Sequence, residues 1–147
     1  MSDFTGYRLR GEELICSMPI ASGSVVEVGD MLKLSGGNVE RMGATTDNLV
    51  FIGVAVEAHA ATDSADRIGV ALRNAQVQYK YPLEAATTVA IGDLLQANTT
   101  SPHNTLTKSA TDAIAMAVKE GTSITAVEVV FLLPAQTGAI RLVGDAS

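Results

Sequence analysis

The chain has 147 residues, one cysteine and a formal net charge of −6, and it is 47% hydrophobic but only 4% aromatic. A length of this order suits one domain, which buries roughly 68–70% of its unfolded surface and needs neither a disulfide nor a metal to hold together. An acidic chain with scattered cations (Arg8, Arg10, Lys33, Arg41, Lys80, Lys108) excludes a nucleic-acid reader, and no apolar run is long enough to span a bilayer.

The first residues, SDFTGYRLRGEELICSMPIASG, lack the apolar run of a signal peptide, so we expect a soluble protein made in the cytosol. Phe4, Tyr7 and Leu9 give this segment three large apolar side chains. A frayed tail has no need of such anchors, so residues 1–20 are expected to form an arm that packs elsewhere, adding a strand to a neighbour's sheet edge. Cys16 lies between Ile15 and Ser17, with Met18 beyond, and reads as a small buried hydrophobe. Met31–Leu34 and the VERM segment that follows are two strands of a hairpin. The turn between them, Ser35-Gly36-Gly37-Asn38, is made of residues that tolerate positive φ. Leu49–Val56 is continuously apolar and β-branched, the pattern of a strand covered on both faces.

Arg67–Leu72 is a further strand, and Ala75–Tyr81 alternates, with Val77, Tyr79 and Tyr81 on one face and Gln76, Gln78 and Lys80 on the other. Leu83–Ala86, after Pro82, is expected to make one helical turn. Thr105–Lys108, Ala113–Val118, Ala126–Pro134 and Ala139–Val143 complete the strands, and the last residues, RLVGDAS, read as a mobile tail. The Ala-rich ATDAIAMAVKEG has the composition of a helix, but its surroundings favour a strand. Many short strands separated by Gly and polar turns imply an all-β fold.

One phrase occurs twice. VVEVGDMLKL spans Val25–Leu34 and TTVAIGDLLQ spans Thr87–Gln96. Each copy is followed by a Thr-Asp pair (Thr46-Asp47, Thr111-Asp112), an apolar run ending in Ala-Val, and an alternating strand. The chain therefore reads as two related β-units, at 25–72 and 89–133, inside a single β domain at 21–134, with residues 135–147 as a C-terminal strand and tail. Gly29 and Gly92 supply a backbone angle closed to other residues, and Asp30 and Asp93 each close a turn by accepting a main-chain hydrogen bond. A symmetric catalytic pair of aspartates would need small hydroxyl residues and Gly next to each Asp, and here Met31 and Leu94 follow instead.

No constellation of catalytic, cofactor-binding or metal-binding residues emerges. His59 and His103 are the only histidines and neither has a ligand partner at metal spacing. His59 falls in the carboxylate-rich EAHAATDSAD, which reads as a solvated loop. Phosphate-loop, dinucleotide and nucleophile-elbow patterns are all missing. Tyr79 and Tyr81 share one strand face and can stack on a sugar, which keeps a glycan- or ligand-binding module as the alternative function. Packing in a core is the commoner fate of such a pair.

SGSVVEVGDMLKL, FIGVAVEA, RIGVAL and VAIGDLLQA together resemble the capsid decoration (cement) proteins of tailed phages, over roughly Ala21–Pro134. The resemblance implies a compact β-barrel or β-tulip domain and no enzymatic activity. It implies a homotrimer on the outer surface of the virion capsid, contacting the major capsid protein through arms and loops and stabilising the expanded head.

Overall fold

The computed structural model describes residues 7–43, 50–97, 105–109 and 113–132. Phe4, the Thr-Asp pairs, His103 and the expected strand at Ala139–Val143 lie outside them. The described residues form β1 (Tyr7–Arg10), β2 (Ile15–Pro19), β3 (Met31–Ser35), β4 (Asn38–Arg41), β5 (Phe51–Ala55), β6 (Arg67–Leu72), β7 (Gln78–Val89), β8 (Leu94–Ala97), β9 (Leu106–Lys108), β10 (Ala115–Ala117) and β11 (Gly121–Phe131). The expected all-β fold is what is found.

The strands make two sheets, ordered β2-β6-β5-β3-β4 and β1-β7-β11-β10-β8-β9. With β1 set aside, the two orders are the same: β7 to β11 take the places of β2 to β6 one for one. Neighbours along each order are antiparallel. Each sheet is also closed by a parallel contact between its first and last members, Ile20 with Val39 in one and Leu83 with Leu106 in the other. The result is two small five-stranded barrels. The shared strand order begins with β2 and β7, one strand before each Gly-Asp phrase. From Tyr7 onward, the segment expected as an arm is strand in the chain's own sheets, with β1 paired to β7 and β2 to β6.

The sequence pattern explains the cores. The first barrel is filled by Ile20, Val26, Leu32, Val39, Ala55, Ile68 and Val70. The second is filled by Tyr79, Tyr81, Leu95, Leu106, Val127, Val129, Phe131 and their neighbours, and its cluster crosses the seam to include Met31, Met42, Phe51 and Val54. Strands β3 and β5 therefore serve both cores, Met31, Phe51 and Val54 on one side and Leu32, Ile52 and Ala55 on the other, with a register shift between the two strands, and this is why Leu49–Val56 shows no polar face. Phe131 is the hub of the seam, with its ring 4.9 Å from Phe51, 5.1 Å from Tyr79 and 5.7 Å from Tyr81. Gly53 is required by close approach: a Cβ there would lie 2.1 Å from the Ala71 carbonyl oxygen on β6.

Three expectations are corrected. Leu83–Ala86 is not helical but continues β7, and Pro82 pairs with Ala126 beside a register shift in β11, where a missing N–H is tolerated. Cys16 is half-buried rather than buried: it shares the inward face of β2 with Met18, which packs against the first core, while Ile15 and Ser17 face outward. His59 is not solvated but buried. The Ala-rich segment is strand at Ala115–Ala117, its small side chains set opposite Phe131 and Val129. The hairpin turn has Gly36 at φ 59° and Gly37 at φ 86°, both positive as a type I′ turn requires.

Candidate functional site

The two Gly-Asp turns match almost bond for bond. In the first, Asp30 N–H donates to Glu27 O at 3.0 Å and the Asp30 carboxylate accepts the Glu27 N–H at 2.9 Å. In the second, Asp93 N–H donates to Ala90 O at 3.1 Å and the Asp93 carboxylate accepts the Ala90 N–H at 2.9 Å. Gly29 and Gly92 have φ of 94° and 95°, which identifies each as a type II turn with glycine at its third position. Each turn is then pinned to the strand that neighbours its own in the barrel, β5 beside β3 and β10 beside β8. Gly29 N–H donates to Ala55 O and Ala55 N–H donates to Asp30 O, both at 2.9 Å. Gly92 and Asp93 repeat this with Ala117 at 2.9 and 2.8 Å. A cation completes both: Arg41 lies 2.8 Å from Asp30, and Lys108 lies 3.0 Å from Asp93.

The surroundings of the two carboxylates differ. Asp30 is buried, and desolvation pushes its pKa up, although the Glu27 N–H and the Arg41 guanidinium pull it back. Asp93 is half-buried, its side chain 28% exposed against 5% for Asp30, and the Ala90 N–H, with Lys108, holds its pKa below the usual carboxylate range. Both groups are thus committed to turns and ion pairs. The turns also project matching aliphatic side chains into solvent, Val28 at 52% exposure and Ile91 at 63%.

The seam between the barrels carries the other functional candidates. Tyr7 is exposed and Leu9 half-buried on β1, the outer strand of its sheet, where a register shift falls between Arg8 and Arg10. Tyr7 and Arg8 line a shallow groove with Glu13, Val28, Val54 and Tyr79. Glu13 organises one wall: it accepts the Tyr79 hydroxyl at 2.7 Å and lies 3.7 Å from Arg8. Tyr79 and Tyr81 themselves are core residues. The Tyr81 hydroxyl, fully buried, donates to Gly29 O at 2.7 Å and so locks the second barrel onto the first Gly-Asp turn. These rings cannot stack on a ligand, which removes the feature that supported a glycan-binding module. Among the described residues no group of three or more His, Cys, Asp or Glu could hold a metal ion.

Arg73 was not singled out by its sequence context, yet it anchors the seam. It follows β6 directly. Its Nε donates to Leu132 O at 2.8 Å, its Nη2 donates to the same oxygen, and its Nη1 donates to Phe51 O at 2.9 Å. The guanidinium also sits 4.8 Å from the centre of the Phe51 ring. Burial draws its pKa down to about 10, so it remains charged at neutral pH. No local signal marks such an arginine, because its partners are main-chain atoms as far as 59 positions away.

No family model matches this chain, and no curated protein matches it. Among solved structures the chain is similar to the N base of the head fiber gp8.5 of bacteriophage phi29. The TM-score is 0.50 and the identity 21%, and the likeness covers 81% of this chain and 95% of that one. At that identity the likeness is one of fold.

Proposed function

We propose that this protein is a structural component of a tailed-phage head. It sits on the outer surface of the capsid as a homotrimer, binds the major capsid protein, and stabilises the expanded head. The observation that carries the reading is the fold shared, over most of both chains, with the base of a phage head fiber. Two features of the molecule support it. Its distinctive carboxylates are spent on turns and ion pairs, as suits a rigid body whose work is adhesion. Its exposed aliphatic side chains, including Val28, Ile91, Leu14 and Ile15, offer material for burial against a lattice.

In this reading Phe4, Tyr7 and Leu9 contact the capsid or a sister subunit, β1 presenting the last two at the edge of its sheet. Gly29, Asp30, Gly92 and Asp93 act indirectly, by holding the turn tips rigid. Each contact can be modest, because many copies on one lattice bind together, whereas a lone specific interface buries roughly 1,200–2,000 Å². The test is to mix purified protein with undecorated heads of the matching phage and image them. Regular density on the outer surface is expected, with heads that survive heating or low salt better than bare ones. Failure to bind such heads at any concentration refutes the proposal.

A further inference from the structure

The connection from β5 to β6 is exposed from Glu57 to Asp66 with one exception, His59, which is 2% exposed. Its ring lies between two main-chain carbonyls. Nδ1 is 2.6 Å from Ser24 O, and Nε2 is 2.9 Å from Ala65 O. A carbonyl oxygen only accepts, so each contact needs an N–H on the ring. A neutral imidazole carries one such hydrogen and an imidazolium carries two. With a neutral ring, one nitrogen lone pair would face a carbonyl lone pair in a site closed to water. The main chain of His59 is committed as well: it exchanges hydrogen bonds with Val26 in both directions, each 2.8 Å long. A single residue therefore joins the segment leading into the first Gly-Asp turn to both ends of the exposed connection.

We infer that His59 is held as an imidazolium clamp across the Ser24–Val26 and Ala65 segments, and that loss of its proton releases them, making this end of the first barrel pH-sensitive. The charges around the ring agree. Asp63 is the carboxylate whose charge acts on it, favouring the cation, while its own oxygen accepts the Ala60 N–H at 2.7 Å. The segment Ala21–Val26 brings no ionisable side chain. Of the flanking acids, Glu57 is engaged with the Gly69 N–H at 2.7 Å, and Asp66 contributes its carbonyl to the Ile20 N–H at 3.0 Å. The Ser24 and Ala65 carbonyls, with Asp63, raise the pKa from its ordinary 6.5, and burial opposes them with less effect. A raised folded-state pKa means that the clamp's contribution is fully present below 6.5 and is lost as pH rises through the folded value.

The test is long-range proton–nitrogen NMR of the imidazole in the full chain carrying His103→Gln, which leaves His59 as the only histidine. At pH 6.5 both ring nitrogens should carry a proton in most molecules, with the midpoint lying above that value. Across the same midpoint, hydrogen-exchange protection of the Val26 and His59 amides should fall at least severalfold. The Ala117 amide, bonded to Asp93 in the second barrel, should keep its protection. A mainly neutral ring at pH 6.5, or Val26 and His59 amides indifferent to the titration, overturns the inference. A His59→Gln chain should lose the pH-dependent step, and a step that persists in it also overturns the inference. If that variant does not fold, the titration of the native ring decides.

Discussion

Replacing each turn aspartate by alanine compares one motif in two environments. Asp30→Ala removes an oxygen that accepts three hydrogen bonds: Glu27 N–H at 2.9 Å, Arg41 Nε at 3.1 Å and Arg41 Nη2 at 2.8 Å. Hydrogen bonds to a charged group contribute roughly 1.5–3 kcal/mol each, and breaking a buried pair from one side costs about 3–5 kcal/mol. Two observations reduce that figure. The Arg41 side chain is 33% exposed and can be rehydrated, and burial already disfavours the Asp30 carboxylate. We expect a net loss of about 2–3 kcal/mol, which for a chain of this size lowers Tm by roughly 4–12 °C. Asp93→Ala breaks the same turn where the carboxylate is 28% exposed, against 5% for Asp30, and should cost less. Urea denaturation of both variants, followed by circular dichroism, measures the difference as a shift in midpoint at constant slope. Equal losses, or a larger loss at Asp93, would refute the argument that burial rather than the turn itself sets the energy.

Three further outcomes follow from the geometry. Tyr81→Phe leaves the Gly29 carbonyl without its donor in a buried seam and should cost about 1–2 kcal/mol by the same assay, with a single transition retained. Gly53→Ala drives a Cβ to 2.1 Å from the Ala71 oxygen and should prevent soluble expression or separate β5 from β6, seen as a loss of dispersed amide signals. The depressed pKa of Asp93 means that it contributes stability above the ordinary 3.8, lost as pH falls through its folded value. Asp93→Asn should therefore flatten the acid limb of a Tm-against-pH curve, whereas Asp30→Asn, at a group whose pKa is raised, should not.

What the amino-acid sequence determined by itself is the set of local structures. The hairpin at Ser35-Gly36-Gly37-Asn38, both Gly-Asp turns and the inward face of Val77, Tyr79 and Tyr81 depend on contacts within a few residues or on strict alternation. The doubled phrase pointed to two related units for the same reason, since equal turns need equal local residues. Only the tertiary structure decided which elements lie together over long separations. It brought β1 and β2 into the chain's own sheets, kept Pro82 in a strand by setting it beside a register shift, and closed each sheet into a barrel. Above all it fixed the fate of the polar side chains. His59 reads as a solvated loop residue until Ser24, 35 positions away, is placed against its ring, and Arg73 is unremarkable until Leu132 meets it across 59. Burial of a charge is a property of what surrounds it, and chain order does not encode those neighbours locally.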